Sequence, residues 1–274
     1  MATTRTQSSE DGPGAVKWLR ARQTRGLYTF THDEAVEGLG RTPLAVTKAL
    51  RRLIVQGLLV SPRRWFYVIV PGEFDLSGAP PAPWFIDDLM RYLEQPYYVG
   101  LLTAAAQHGA SHQVAQVFQV VTDRPTRAVR AGRNRIEFVM KAEVEGTPTT
   151  EVKTPTGSMT VSTPEATALD LVRYYKAAGH LSHVATVLEE LAETLDWGAL
   201  VRAAEAGGFE MVVVQRLGYL LDRVGAGEVA EGLSALVAER TPQAVPLRPD
   251  RSRKGCPVDA RWRVAVNTEV ESDL

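Results

Sequence analysis

The stretch GRTPLAVTKALRRLIVQGLLVSPRRWFYVIV, residues 40–70, passes from one hydrophobic periodicity to another. Val46, Ala49, Leu50 and Leu53 follow the i, i+3, i+4, i+7 spacing of one buried helical face, while Thr47, Lys48, Arg51 and Arg52 fall on the opposite stripe. Thr42 is placed to cap this helix, with Pro43 at the first helical position, where a missing N–H costs nothing. Gly57 supplies the stop. Residues 58–60 and 65–70 are β-branched and aromatic, as strands are, and Ser61-Pro62-Arg63-Arg64 between them reads as a turn. A helix with one apolar and one cationic face, followed by a hairpin with arginines at its tip, reads as the second half of a winged helix-turn-helix.

The residues upstream complete that order. Residues 15–22 carry a short helical pattern around Val16, Trp18 and Leu19, and Tyr28-Thr29-Phe30 reads as a brief strand. Thr31 caps a helix from His32, with Glu34 positioned for a capping box and Ala35, Val36 and Leu39 as the apolar side. His32 is expected on the surface of the first turn. A helix lying in the major groove needs exposed donors, and a wing needs phosphate contacts. The candidate DNA contacts are therefore Arg41, Thr42, Thr47, Lys48, Arg51 and Arg52 around the helix, with Arg63 and Arg64 in the wing. A solvated amphipathic helix beside an ordinary hairpin is the simpler alternative, but helix, stop, hairpin and tip arginines together favour DNA.

Charge supports this division. Residues 1–70 hold 11 Lys or Arg against 5 Asp or Glu, whereas residues 71–274 hold 20 against 27. A net charge of −1 thus conceals a basic amino-terminal part and an acidic remainder. No run approaches the roughly 18 apolar residues that span a bilayer, and the amino terminus lacks the apolar core of a signal peptide, so a cytoplasmic protein without membrane contact is expected. The single cysteine, Cys256, excludes an intramolecular disulfide and a cysteine-rich metal site.

Residues 1–14 read as a disordered arm, 15–76 as the winged-helix domain, 77–83 (SGAPPAP) as a proline-rich linker and 84–274 as a larger mixed domain, giving an α+β chain. Within the larger domain, residues 84–93 and 97–108 are expected to be helices. Strands are expected over 114–121, 135–144, 151–153 and 157–161. Five further helices follow, at 164–175, 181–195, 197–205, 209–224 and 229–238. Residues 262–267 read as a last strand, expected to pair with the strands between 114 and 161.

In that layout the chain resembles the AbiEi family of antitoxins from bacterial abortive-infection toxin-antitoxin systems. The segments that carry the resemblance are RRWFYVIVP, YYVGLLTAAAQHG, TGSMTVSTPEATALDLVRY and WRVAVNTEVESDL, which span most of the chain. The resemblance implies that the amino-terminal domain binds inverted repeats in its own promoter and represses its operon. It also implies that the rest counters a co-encoded nucleotidyltransferase-like toxin in phage defence. It supplies no catalytic residue, so no enzyme activity and no cofactor are expected.

Two other classes of function compete. One is a plain transcriptional regulator whose second domain senses a ligand. The other is a metal-dependent nuclease, for which Glu151-Val152-Lys153 has the E-x-K spacing and Glu137 or Glu143 is the candidate second carboxylate. Glu-x-Lys pairs are also common as solubilising residues on exposed strands. His108 and His112, and His180 and His183, have helical spacings, but Gly109 interrupts the first pair and no acidic residue lies closer to the second than Glu189. No metal site is expected.

Overall fold

A computed structural model of the chain describes residues 11–110 and 117–270, with side chains from Gly14 onward. Two compact units emerge. The first comprises the chain up to Gln95 together with Arg127–Ile136 and Lys153–Met159; the second comprises Pro96–Thr126, Glu137–Val152 and Thr160 to the end.

The first unit begins with α1 (Asp11–Gln23), β1 (Thr29–Thr31), α2 (His32–Leu39), α3 (Pro43–Val55), β2 (Leu59–Arg63) and β3 (Phe66–Ile69). Of the arm expected over 1–14, residues 1–10 lie outside the described residues and 11–14 form the first turn of α1. The helix starts follow local chemistry. The Thr31 side chain accepts from the Glu34 N–H while the Glu34 carboxylate accepts from the Thr31 N–H at 2.7 Å, a complete capping box. Gly40 then ends α2 with φ of 60°, a left-handed conformation that costs glycine nothing. Thr42 caps α3 and Pro43 occupies its first position.

All four residues of the expected apolar face, Val46, Ala49, Leu50 and Leu53, are buried. Val46, Leu50 and Leu53 join a core that includes Leu19 of α1, Phe30 of β1, Ala35 of α2, Leu59 of β2 and Tyr67 and Ile69 of β3. The strands form an antiparallel sheet in the order β1-β3-β2, with Phe30 opposite Tyr67 and Val60 opposite Val68.

The segment 77–83 is an ordered strap inside the first unit, not an extended spacer. Ala79 and Ala82 are buried, and the Ser77 carbonyl accepts from the Arg133 N–H at 2.8 Å. The Asn134 amide donates to the Pro80 carbonyl at 2.8 Å. Proline fixes φ and removes a donor in either setting, so composition alone does not separate a packed strap from a free linker. A 3₁₀ turn (Ala82–Trp84) leads into α4 (Ile86–Tyr92), and Trp84 meets Tyr28 and Phe74 edge-on at 5.1 and 5.2 Å.

The strands of the following segment are β4 (Tyr97–Val99), β5 (Phe118–Thr122), β6 (Val129–Ala131), β7 (Asn134–Met140), β8 (Thr149–Thr154) and β9 (Gly157–Ser162), hydrogen-bonded in the order β6-β7-β5-β4-β9-β8. The helix expected over 97–108 is split: Tyr97–Val99 pairs with β5 and β9, and only α5 (Leu101–Gln107) is helical. A mostly apolar run satisfies either element, and here the neighbours decide. At Gly100, between them, a Cβ would sit 2.9 Å from Val121 and 3.1 Å from the Tyr98 ring. The strand expected over 114–121 begins partly within 111–116, which lies outside the described residues.

Besides α5, the helices of the second unit are α6 (Pro164–Arg173), α7 (His180–Leu191), α8 (Trp197–Ala206), α9 (Met211–Arg223) and α10 (Glu231–Arg240), and these five follow the expected periodicity apart from end residues. At their centre α6, capped by Thr163 with Pro164 first, buries every residue from Glu165 to Val172 and packs against α5, α7, α8 and α9. The last strand does not join the large sheet. Instead β12 (Val264–Ala265) sits between β10 (Val245–Pro246) and β11 (Val258–Asp259) in a small sheet of its own. Trp262 holds it there: the ring is buried over Gly218 of α9, where a Cβ would collide with it, and its Nε1 donates to Asp222 at 2.6 Å.

Candidate nucleic-acid interface

Positions on α3 follow from its packed face. With Val46, Ala49, Leu50 and Leu53 turned inward, Lys48, Arg51 and Arg52 are left exposed. They line a shallow groove of about 430 Å³ together with Val55 and Gln56. Arg41 lies partly buried just before the helix, and the Thr42 side-chain oxygen accepts from the Ala45 N–H at 3.4 Å.

Thr47 belongs to a different arrangement. Its hydroxyl donates to the Pro43 carbonyl at 2.8 Å and lies 2.9 Å from Nε2 of His32. A hydroxyl has one proton to give, so His32 donates from Nε2. His32 is 7% exposed rather than a surface residue. Its ring packs against that of Trp65, with centroids 4.5 Å apart and planes tilted by 56°, and its backbone N–H bonds the Trp65 carbonyl at 2.9 Å. Trp65 itself has φ of 64° at the turn between β2 and β3. One imidazole therefore ties α2, α3 and the hairpin tip together. Sequence reasoning missed this because no second His or Cys lies at a metal-binding spacing from His32, which left the residue assigned to the surface; the signal was an aromatic residue directly after the tip arginines.

The tip arginines differ from each other. Arg64 is exposed and stacks its guanidinium 4.9 Å from the Trp65 ring centre. Arg63 is partly buried and donates to the Arg127 carbonyl. Burial, and then the Arg127 charge, pull its guanidinium below the ordinary arginine range.

The second unit holds a buried ionic cluster that periodicity did not reveal. Lys141, just after β7, and Asp170, in the middle of α6, have side chains 1% and 0% exposed and approach to 3.5 Å. Tyr98 of β4 donates to Asp170 at 2.6 Å, Lys141 donates to the Thr147 hydroxyl at 2.8 Å, and its ammonium sits 3.8 Å from the Phe209 ring centre. Burial pushes Asp170 up and Lys141 down, and in each case the partner's charge opposes the shift. The Tyr98 phenol is driven upward by burial and then by the Asp170 charge. Perturbed groups of this kind also mark active sites, but these are enclosed, with their polar atoms directed at one another. The cluster joins a strand, a loop and a helix.

The nuclease constellation is not assembled. Glu151 and Lys153 are exposed on β8, an edge strand, and three strands separate it from Glu137 on β7. At the usual strand spacing that is roughly 19 Å. Glu143 lies against Gly208 instead. Among the described residues no group of three or more His, Cys, Asp or Glu is placed to hold a metal ion. His108 bonds the Ser162 carbonyl at 2.7 Å, while His112 lies outside the described residues. No helix among the described residues is long and apolar enough to cross a membrane.

With this geometry in place, three comparisons with known proteins can be set beside it. In overall fold the chain is similar to the crystal structure of the RV2827C protein from Mycobacterium tuberculosis, with a TM-score of 0.64, 16% identity and 90% of each chain covered. No curated protein matches it in sequence. Residues 98–223 match the family described as the AbiEi antitoxin C-terminal domain. The match begins at Tyr98 and contains Lys141, Thr147 and Asp170, so the buried cluster lies wholly within it. Residues 98–223 are thus similar to the C-terminal domain of AbiEi antitoxins, which supports an AbiEi family antitoxin.

Proposed function

We propose that residues 15–76 form a winged helix-turn-helix that binds double-stranded DNA at inverted repeats in the protein's own promoter, and that the protein is an antitoxin that represses its operon. In this reading α3 enters the major groove, Lys48 and Arg51 reach base edges, and Arg52 and Arg64 meet phosphates. The observation that carries the reading is the division of α3, whose four apolar positions are all buried while Lys48, Arg51 and Arg52 stand exposed. The excess of basic residues within the first 70 supports it. Thr47 and Arg63 contribute by holding the helix and the hairpin in place, since their polar groups are already engaged within the protein.

The antitoxin half of the proposal rests on the family of residues 98–223. A co-encoded nucleotidyltransferase-like toxin is the proposed counterpart, phage defence the setting, and the cytoplasm the compartment. The second unit acts as a folded binding body rather than as an enzyme, and it requires no cofactor.

A promoter gel shift tests the DNA-binding half. Lys48→Ala and Arg51→Ala should each weaken operator binding, and unchanged affinity in both removes α3 from its role. Co-expression with the product of the neighbouring gene tests the other half, because growth should be rescued by the wild-type chain and not by a chain lacking residues 98–223.

A further inference from the structure

We infer that Leu44 reads a thymine methyl group, setting base preference at one operator position beside the guanine edges met by Lys48 and Arg51; this rests on the DNA-reading role proposed for α3. Leu44 is the second residue of α3 and is 67% exposed. At 100° per residue it falls on the same stripe as Lys48 and Arg51, one turn before Lys48.

A single exposed leucine is ordinary on a protein surface. Three features distinguish this one. It lies in the amino-terminal turn of the helix, the end that meets base edges when a recognition helix docks. The hydroxyls nearest to it are engaged within the fold: that of Thr42 caps the Ala45 N–H, and that of Thr47 bridges the Pro43 carbonyl and His32. Finally, α3 contains no Asn, Gln, Asp or Glu, so it presents neither a carboxamide for adenine nor a carboxylate for the cytosine amino group. Leu44, Lys48 and Arg51 thus offer the groove one apolar surface and two cations. The major groove has an apolar counterpart only at the C5 methyl of thymine, and acceptors for the cations at guanine O6 and N7.

Uracil substitution isolates the methyl, because it leaves every hydrogen-bonding group of the base pair unchanged. The full-length protein is titrated with its own promoter fragment and with fragments carrying uracil for thymine at single positions. Wild-type protein should lose about fourfold in affinity at one or more positions, the loss expected for a single buried methyl. Leu44→Ala should bind the thymine and uracil fragments alike, with an unchanged thermal melt, whereas Leu76→Ala, at an exposed leucine outside α3, should keep the wild-type sensitivity. Indifference of the wild type to uracil at every position overturns the inference while leaving promoter binding intact. A uracil loss that persists in Leu44→Ala, or a change of oligomeric state in that variant, also overturns it. If the wild type shows no preference for its promoter, the DNA-reading role falls and this inference with it.

Discussion

Helices α3 and α6 start in the same way and end in opposite environments. Each is capped by a threonine with proline at the first helical position, Thr42-Pro43 in one case and Thr163-Pro164 in the other. Beyond that turn α3 buries one face and exposes Lys48, Arg51 and Arg52, whereas α6 buries every residue from Glu165 to Val172, including Asp170. The cap therefore sets where a helix starts and nothing about how many of its faces are covered. Exposed cations on α3 cost little, whereas an acid inside α6 demands a partner from elsewhere in the chain, which Lys141 and Tyr98 supply.

The largest expected difference between the helices lies in stability. Asp170→Ala leaves Lys141 buried without its counter-charge, and removing one partner of a buried pair costs about 3–5 kcal/mol. Thermal melting should show a correspondingly large fall in Tm. Replacing both partners together, Lys141→Met with Asp170→Leu, should cost less than the single change; an equal or greater cost would mean that packing around α6, rather than the charge, sets the penalty.

Leu169 and Leu171 are both completely buried, so either changed to alanine should destabilise by about 2–5 kcal/mol and abolish rescue of growth. On α3 the effect should move from stability to binding. Arg51→Ala should leave the melt unchanged while weakening promoter affinity by about 1–3 kcal/mol if the side chain reaches a base edge. A loss of affinity accompanied by a lowered Tm would assign Arg51 to the fold.

His32 falls between these cases. His32→Ala removes the hydrogen bond to the Thr47 hydroxyl and the ring packed against Trp65, costing about 1 kcal/mol for the lost hydrogen bond. Because it ties α3 to the hairpin tip, promoter affinity should fall further than that loss of stability explains, and Thr47→Val should reproduce part of the effect. The smallest change is expected from Glu151→Ala with Lys153→Ala, exposed residues on an edge strand, which should alter stability by no more than about 0.5 kcal/mol and leave protection intact. A folded double variant that no longer rescues growth would reopen the nuclease reading.

Much of this was legible from residues a few positions apart. The capping box of Thr31 and Glu34, the cap at Thr42 and the apolar stripe of α3 all depend on contacts within about one helical turn, and each is written in neighbouring residues. Other features depend on residues that only the fold brings together. Tyr97–Val99 is a strand because β5 and β9 lie on either side of it, and Asp170 is buried because Tyr98, 72 positions away, and Lys141 reach it. The strap at 77–83 is ordered by Arg133 and Asn134, and the final strand is held by a tryptophan over Gly218. An apolar run suits strand or helix equally, and a charged residue suits surface or interior provided that a partner exists. The choice belongs to long-range packing, whose energy no local pattern contains.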